Sequence, residues 1–175
     1  MHRIFCATHK ALEAERQAFH EVVGAFNEEH AMARGILFVP ISIPVNLTDK
    51  RFYRPAIDDN VRSSRYYLQV VDGSLGPAEM NFEPDWLLAR ACRADGRMPM
   101  RGVLAALKRL PEGSRPEVAA AEFRASVAAA GVDGYFEYAD IAEWRRQLAQ
   151  ALAVCLRETA DSAADQPCQA ACPTE

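Results

Sequence analysis

Short apolar runs alternate with longer amphipathic stretches along this 175-residue chain, and that alternation restricts its fold more than any other feature. Ile4, Phe5, Cys6 and Ala7 suit a buried strand. Over 11–30, Leu12, Phe19, Val22, Val23 and Phe26 recur at three- and four-residue spacing while Glu13, Glu21, Glu28 and Glu29 turn elsewhere, which predicts a helix. Residues 36–44 predict a second strand, and Pro40 and Pro44 place it at a sheet edge because proline cannot donate to a ladder. The polar, basic stretch 46–54 predicts a loop and 56–64 a short helix. A third strand over 66–71 stops at Asp72-Gly73. Pro84, suited to a first helical turn, opens a helix over 84–94 with Trp86, Leu87 and Ala91 toward the core. Residues 100–107 have fair helix propensity, but Asp95-Gly96 and Pro111-Glu112-Gly113 bracket them at strand length, so they predict a fourth strand. A helix over 116–130, a strand over 135–138 and a helix over 141–157 complete the pattern. The last helix has Asp140 and Glu143 at capping-box spacing and a stripe of Ile141, Trp144, Leu148, Leu152 and Cys155.

Strands and helices in this alternation predict an α/β fold: a flavodoxin-like three-layer sandwich around a five-stranded parallel sheet in order 2-1-3-4-5. Residues 1–158 form the domain, and 159–175 read as a disordered acidic tail. No apolar run reaches 18 residues and the N-terminus lacks the apolar block of a signal peptide, so the expectation is a cytoplasmic protein with no membrane partner. The net charge is −4; the tail holds Asp161, Asp165 and Glu175 without a base, leaving the body near −1. So weak a field excludes nucleic acid as a partner. The five cysteines form no CxxC and read as free thiols, with Cys168 and Cys172 four apart in the tail.

Ligands of an open doubly wound sheet bind where the strand order reverses, here between the first and third strands. The lining segments are Thr8-His9-Lys10, the 46–54 loop and residues 72–83. The chain has no GxGxxG, no Walker loop and no GxSxG elbow, and its four histidines fall in the first thirty residues without zinc spacing. No metal and no cofactor is expected. The chemistry-bearing residues that remain are carboxylates: Asp72, Glu79, Glu83 and Asp85. Glu83, at the start of a helix, is expected to aim at the strand ends, where the helix N-terminus favours its charged form. The plainer alternative is that Glu83 and Asp85 complement the helix dipole. A receiver-like domain is excluded, because Thr8-His9-Lys10 supplies no acid pair after the first strand.

Ile4-Phe5-Cys6-Ala7-Thr8 with Leu12 and Glu15-Arg16, Ser64 to Val71 followed by Leu75-Gly76, Glu83-x-Asp85-Trp86-x-x-Ala89, and the closing 136–148 segment together resemble a group of bacterial TIR-like domains of unassigned function. The resemblance runs from about residue 3 to 156. Its wider relatives are TIR domains and nucleoside deoxyribosyltransferases, in which a glutamate after the third strand contacts ribose and supports cleavage of an N-glycosidic bond. Carried onto this chain, the resemblance implies Glu83 as the catalytic carboxylate. Thr8, His9, Asp72, Phe82 and Trp86 then form the substrate site, Phe82 or Trp86 stacking on a base and Thr8 bonding a ribose or phosphate. Core packing for Trp86 and a helix cap for Thr8 are the alternatives. Two functions stay open. One is a nucleotide-binding TIR-like domain that cleaves NAD or a nucleotide. The other is a non-catalytic module that self-associates in bacterial signalling or defence, through the edge strand near Pro40 and the 46–54 loop.

Overall fold

The computed structural model describes residues 1–43, 50–76, 82–129 and 133–164. Five strands, β1 (His2–Ala7), β2 (Phe38–Ser42), β3 (Tyr66–Val71), β4 (Gly102–Lys108) and β5 (Gly134–Tyr138), pair in parallel in the order β2-β1-β3-β4-β5. Helices α1 (Glu13–Phe26), α2 (Lys50–Arg62), α3 (Glu83–Ala94), α4 (Val118–Ala129) and α5 (Ile141–Ala164) flank this sheet. The fold is the flavodoxin-like one expected, with the proline-bearing β2 at an edge.

Alternating side chains along each strand feed two separate cores. Ile4, Cys6, Tyr66, Leu68, Val70 and Ala106 pack under α1 and α5, while Phe5, Ala7, Tyr67, Val71, Val103 and Leu107 pack under α2, α3 and α4. Both faces of β3 are therefore covered, and all six of its residues are buried. Gly102 opens β4 because a Cβ there would stand 2.9 Å from the Tyr66 ring. The Tyr66 hydroxyl donates to the Cys155 carbonyl at 3.0 Å and meets the Thr159 hydroxyl at 2.9 Å. Thr159 is buried and α5 continues to Ala164, so the folded domain extends beyond the expected boundary at 158. Residues 165–175, with Cys168 and Cys172, lie outside the described residues.

Two connections differ from the sequence expectation. The basic stretch expected as a loop is helical from Lys50 onward, and Pro55 lies inside α2. Arg54 there is neutralised by Asp58 one turn later and by Asp85 of α3, each at 2.5 Å, which a reading of local polarity does not register. The first helix is also shorter than 11–30. Its α-helical part ends at Phe26, and the chain continues through a π turn (Asn27–Ala31) and a 3-10 turn (Met32–Arg34) to Gly35 at φ 68°, a left-handed conformation that suits glycine.

This widened turn presents Asn27 to the edge strand. Its side-chain amide donates to the Phe38 carbonyl at 2.8 Å, and its carbonyl accepts from the Phe38 N–H at 2.9 Å. At the other end of the chain, Asp140 accepts from the Glu143 N–H and Glu143 accepts from the Ala139 N–H, both at 2.8 Å, so the capping pair works with its return bond one residue earlier than the standard box. Replacing Asn27 by Ala leaves a buried N–H and C=O of Phe38 without these partners. The expected loss is about 1–3 kcal/mol of unfolding free energy, read as a lower denaturation midpoint with unchanged m-value.

Candidate functional site

Parallel strands deliver all their carboxyl ends to one rim of the sheet, and the order reverses between β1 and β3. At that point β1 runs out into Thr8 and His9, both buried, and β3 runs out into Asp72. His9 Nε2 and Asp72 Oδ1 are 3.0 Å apart. The Ala11 N–H donates to His9 Nδ1 at 3.3 Å as the N-terminal cap of the turn leading into α1. With Nδ1 accepting, the ring proton sits on Nε2 and is donated to Asp72. His9, not Thr8, is the cap. Both nitrogens of His9 are engaged, so its role is to orient and hold Asp72.

Asp72 Oδ1 also accepts from the Ser74 N–H at 2.8 Å, and the Ser74 hydroxyl donates to Glu117 Oε2 at 2.9 Å. Burial alone raises the Asp72 pKa. The His9 and Ser74 hydrogen bonds, with the Lys108 charge, outweigh it and hold the carboxyl below its ordinary value. The Arg124 guanidinium donates to the Lys108 carbonyl at 3.1 Å and reaches the Asp72 carbonyl at 3.5 Å, tying the ends of β4 and β3 together. Beside them the Lys108 ammonium donates to Glu15 Oε1 at 2.7 Å, and the Tyr138 hydroxyl donates to the same oxygen at 3.3 Å. The rim thus carries an ionised carboxylate, a partly exposed ammonium held by Glu15, and the Thr8 hydroxyl.

The residues expected to form the site divide into two groups. Thr8, His9 and Asp72 come together at the reversal point. Glu83 is the first residue of α3, exposed, along a groove between α3 and α4 that Leu75, Trp86, Arg90 and Glu122 also line. Trp86 is 3% exposed, with its ring edge-on to Phe123 at a centroid distance of 5.0 Å and 6.3 Å from Tyr67, and Phe82 is buried in the same core. The core-packing alternative for Trp86 describes what is observed. The wholly buried carboxylate of α3 is Asp85, paired with Arg54 beside the buried Tyr67 phenol. Burial first, then the Asp85 charge, keeps that phenol protonated, and it donates to Gln69 Oε1 at 2.6 Å. Glu79 and residues 46–49 lie outside the described residues.

Lys108, Tyr138 and Arg124 have no counterpart in the expected site, and Glu15 enters the sequence reading only through its resemblance motif. A signal for Glu15 exists: it is the one charged residue on the apolar stripe Leu12, Glu15, Phe19, Val22 and Phe26. Among the described residues no group of His, Cys, Asp and Glu is placed to hold a metal ion. Cys6, Cys92 and Cys155 are buried free thiols, and burial pushes the Cys155 pKa up to about 12.

Two measurements check these assignments. Asp85→Ala lowers stability by about 2 kcal/mol or more, less than for a fully enclosed pair because Arg54 is one-third exposed and keeps Asp58, whereas Glu83→Gln, at an exposed position in the first turn of α3, costs at most about 1 kcal/mol. The lowered Asp72 pKa contributes stability that is present above the ordinary carboxyl value of about 3.9 and is lost as pH falls through the folded-state value. The stability gap between the wild type and Asp72→Asn is therefore widest near neutrality and closes below about pH 4, measured by urea unfolding across pH. No family model matches this chain, and no curated protein shows significant similarity to it.

Proposed function

We propose that the rim between β1 and β3 binds a nucleotide of the NAD class. The observation that carries this reading is the His9–Asp72 pair at the reversal of strand order, where α/β sheets bind their ligands. Both hydrogen bonds from His9 and Ser74 fall on Oδ1 of Asp72, and Oδ2 accepts from a ribose hydroxyl. Thr8 supplies a hydroxyl beside it.

The finer reading assigns cleavage of the N-glycosidic bond, with Glu83 as the carboxylate. Breaking that bond puts positive charge on the sugar, which a nearby carboxylate stabilises. The C1′–N bond breaks, nicotinamide leaves as a neutral base, water supplies hydroxide to C1′ and a proton goes to solvent. This reading requires a ligand that extends from a ribose held at Asp72 to Glu83 in the first turn of α3, beside the α3–α4 groove.

A second reading has the domain self-associate without chemistry, through the β2 edge, where Val39, Pro40 and Ile41 are all partly exposed. Pro40 has no N–H to extend a sheet, so this contact is made by side chains.

Purified protein is incubated with NAD and the products are separated by chromatography, with thermal shift measured in parallel. The expected result is a rise in Tm of a few degrees with millimolar NAD, reduced in Asp72→Asn, and nicotinamide release lost in Glu83→Gln. Equal release by Glu83→Gln removes Glu83 from the chemistry. No shift and no release, with light scattering that grows with concentration, favours the self-associating module.

A further inference from the structure

Glu15 is the least expected residue beneath the rim. It lies in the first turn of α1, is 2% exposed, and interrupts a stripe that is otherwise apolar. A carboxylate in such a place is costly unless its partners are well placed, and an apolar residue there packs without that cost. Its partners are the Lys108 ammonium at 2.7 Å and the Tyr138 hydroxyl at 3.3 Å. The pair is lopsided: the Glu15 side chain is 3% exposed and that of Lys108 is 34% exposed. One end is anchored in the core and the other reaches the rim.

Lys108 is the last residue of β4, and β4 neighbours β3, whose exit supplies Asp72. An ammonium has three N–H donors, of which Glu15 takes one. A free lysine at a protein surface samples many rotamers and loses that freedom when it binds. Here its bond to Glu15, which Tyr138 holds in turn, has already restricted it, and Arg124 fixes the backbone carbonyl of the same residue. The arrangement is that of a positioned cation, with Glu15 and Tyr138 as positioning residues.

We propose that Lys108 makes the rim selective for phosphorylated ligands, its ammonium contacting a phosphate oxygen of a nucleotide whose ribose lies at Asp72. This rests on the nucleotide-binding reading above and adds to it the ligand's charge class. The remaining donors of Lys108 form charge-assisted hydrogen bonds with the phosphate, and the nucleoside without that phosphate leaves them unused. The influence of Lys108 on Asp72 agrees with the two groups sharing one end of the sheet.

The test uses two probes that differ only in the phosphate, nicotinamide mononucleotide and nicotinamide riboside, titrated calorimetrically into the full chain. For the wild type the mononucleotide is expected to bind about tenfold or more tighter than the riboside. In Lys108→Gln that preference falls to within about twofold while riboside affinity holds, and Lys108→Arg retains most of the preference. If Lys108→Gln fails to fold because Glu15 is left unpaired, the double variant Glu15→Gln/Lys108→Gln removes both charges and is expected to fold without the preference. A tenfold preference surviving in either variant, or no preference in the wild type while the riboside still binds, overturns the role of Lys108 alone. Binding of neither probe to the wild type overturns the nucleotide site and this role with it.

Discussion

All five strands of this sheet run the same way, so every connection has to cross over a face and return to the starting edge. That constraint produces the rest of the structure. It demands a helix after each strand, and it covers both faces, which is why all of β3 is buried. It also sends every carboxyl end to the same rim. His9, Asp72, Lys108 and Tyr138, which stand at or just beyond the ends of four different strands, become neighbours for that reason.

The rim and the core below it place charge differently. In the core, charge is enclosed: Asp85 is fully buried against Arg54, and Glu15 is nearly so against Lys108. Each pair has one buried carboxylate and one cation that reaches solvent, which limits the desolvation cost to one partner. At the rim Asp72 is held ionised, oriented by His9 and a backbone amide. Glu83 differs from all three in being exposed, so any part it has in chemistry depends on a ligand coming to it.

The apolar periodicities place most strands and helices, including the strand reading of 100–107, which becomes β4, paired on both sides, but Leu87 and Ala91 of α3 and Ile141 of α5, expected toward the core, are exposed. Failures come where a long-range partner overrides local polarity. Lys50 to Arg54 looks like a solvated loop until Asp85, thirty-one positions after Arg54, neutralises it. The end of α5 reads as tail until Tyr66 bonds to Thr159 across ninety-three positions. Trp86 shows the limit from the other side: the helical pattern puts it toward the core while the resemblance implies a stacking role, and its contact with Phe123 agrees with the core.

The amino-acid sequence by itself determined the order of elements, the parallel sheet, the edge position of β2 and the point where the strand order reverses, because these follow from hydrophobic period, proline chemistry and the handedness of crossovers. Tertiary structure alone decided which polar groups meet there. His9 with Asp72, Lys108 with Glu15 and Tyr138 with Glu15 span 63, 93 and 123 positions. Hydrogen bonds form over about 3 Å, and a separation along the chain carries no information at that scale until the crossovers have set each strand end in place.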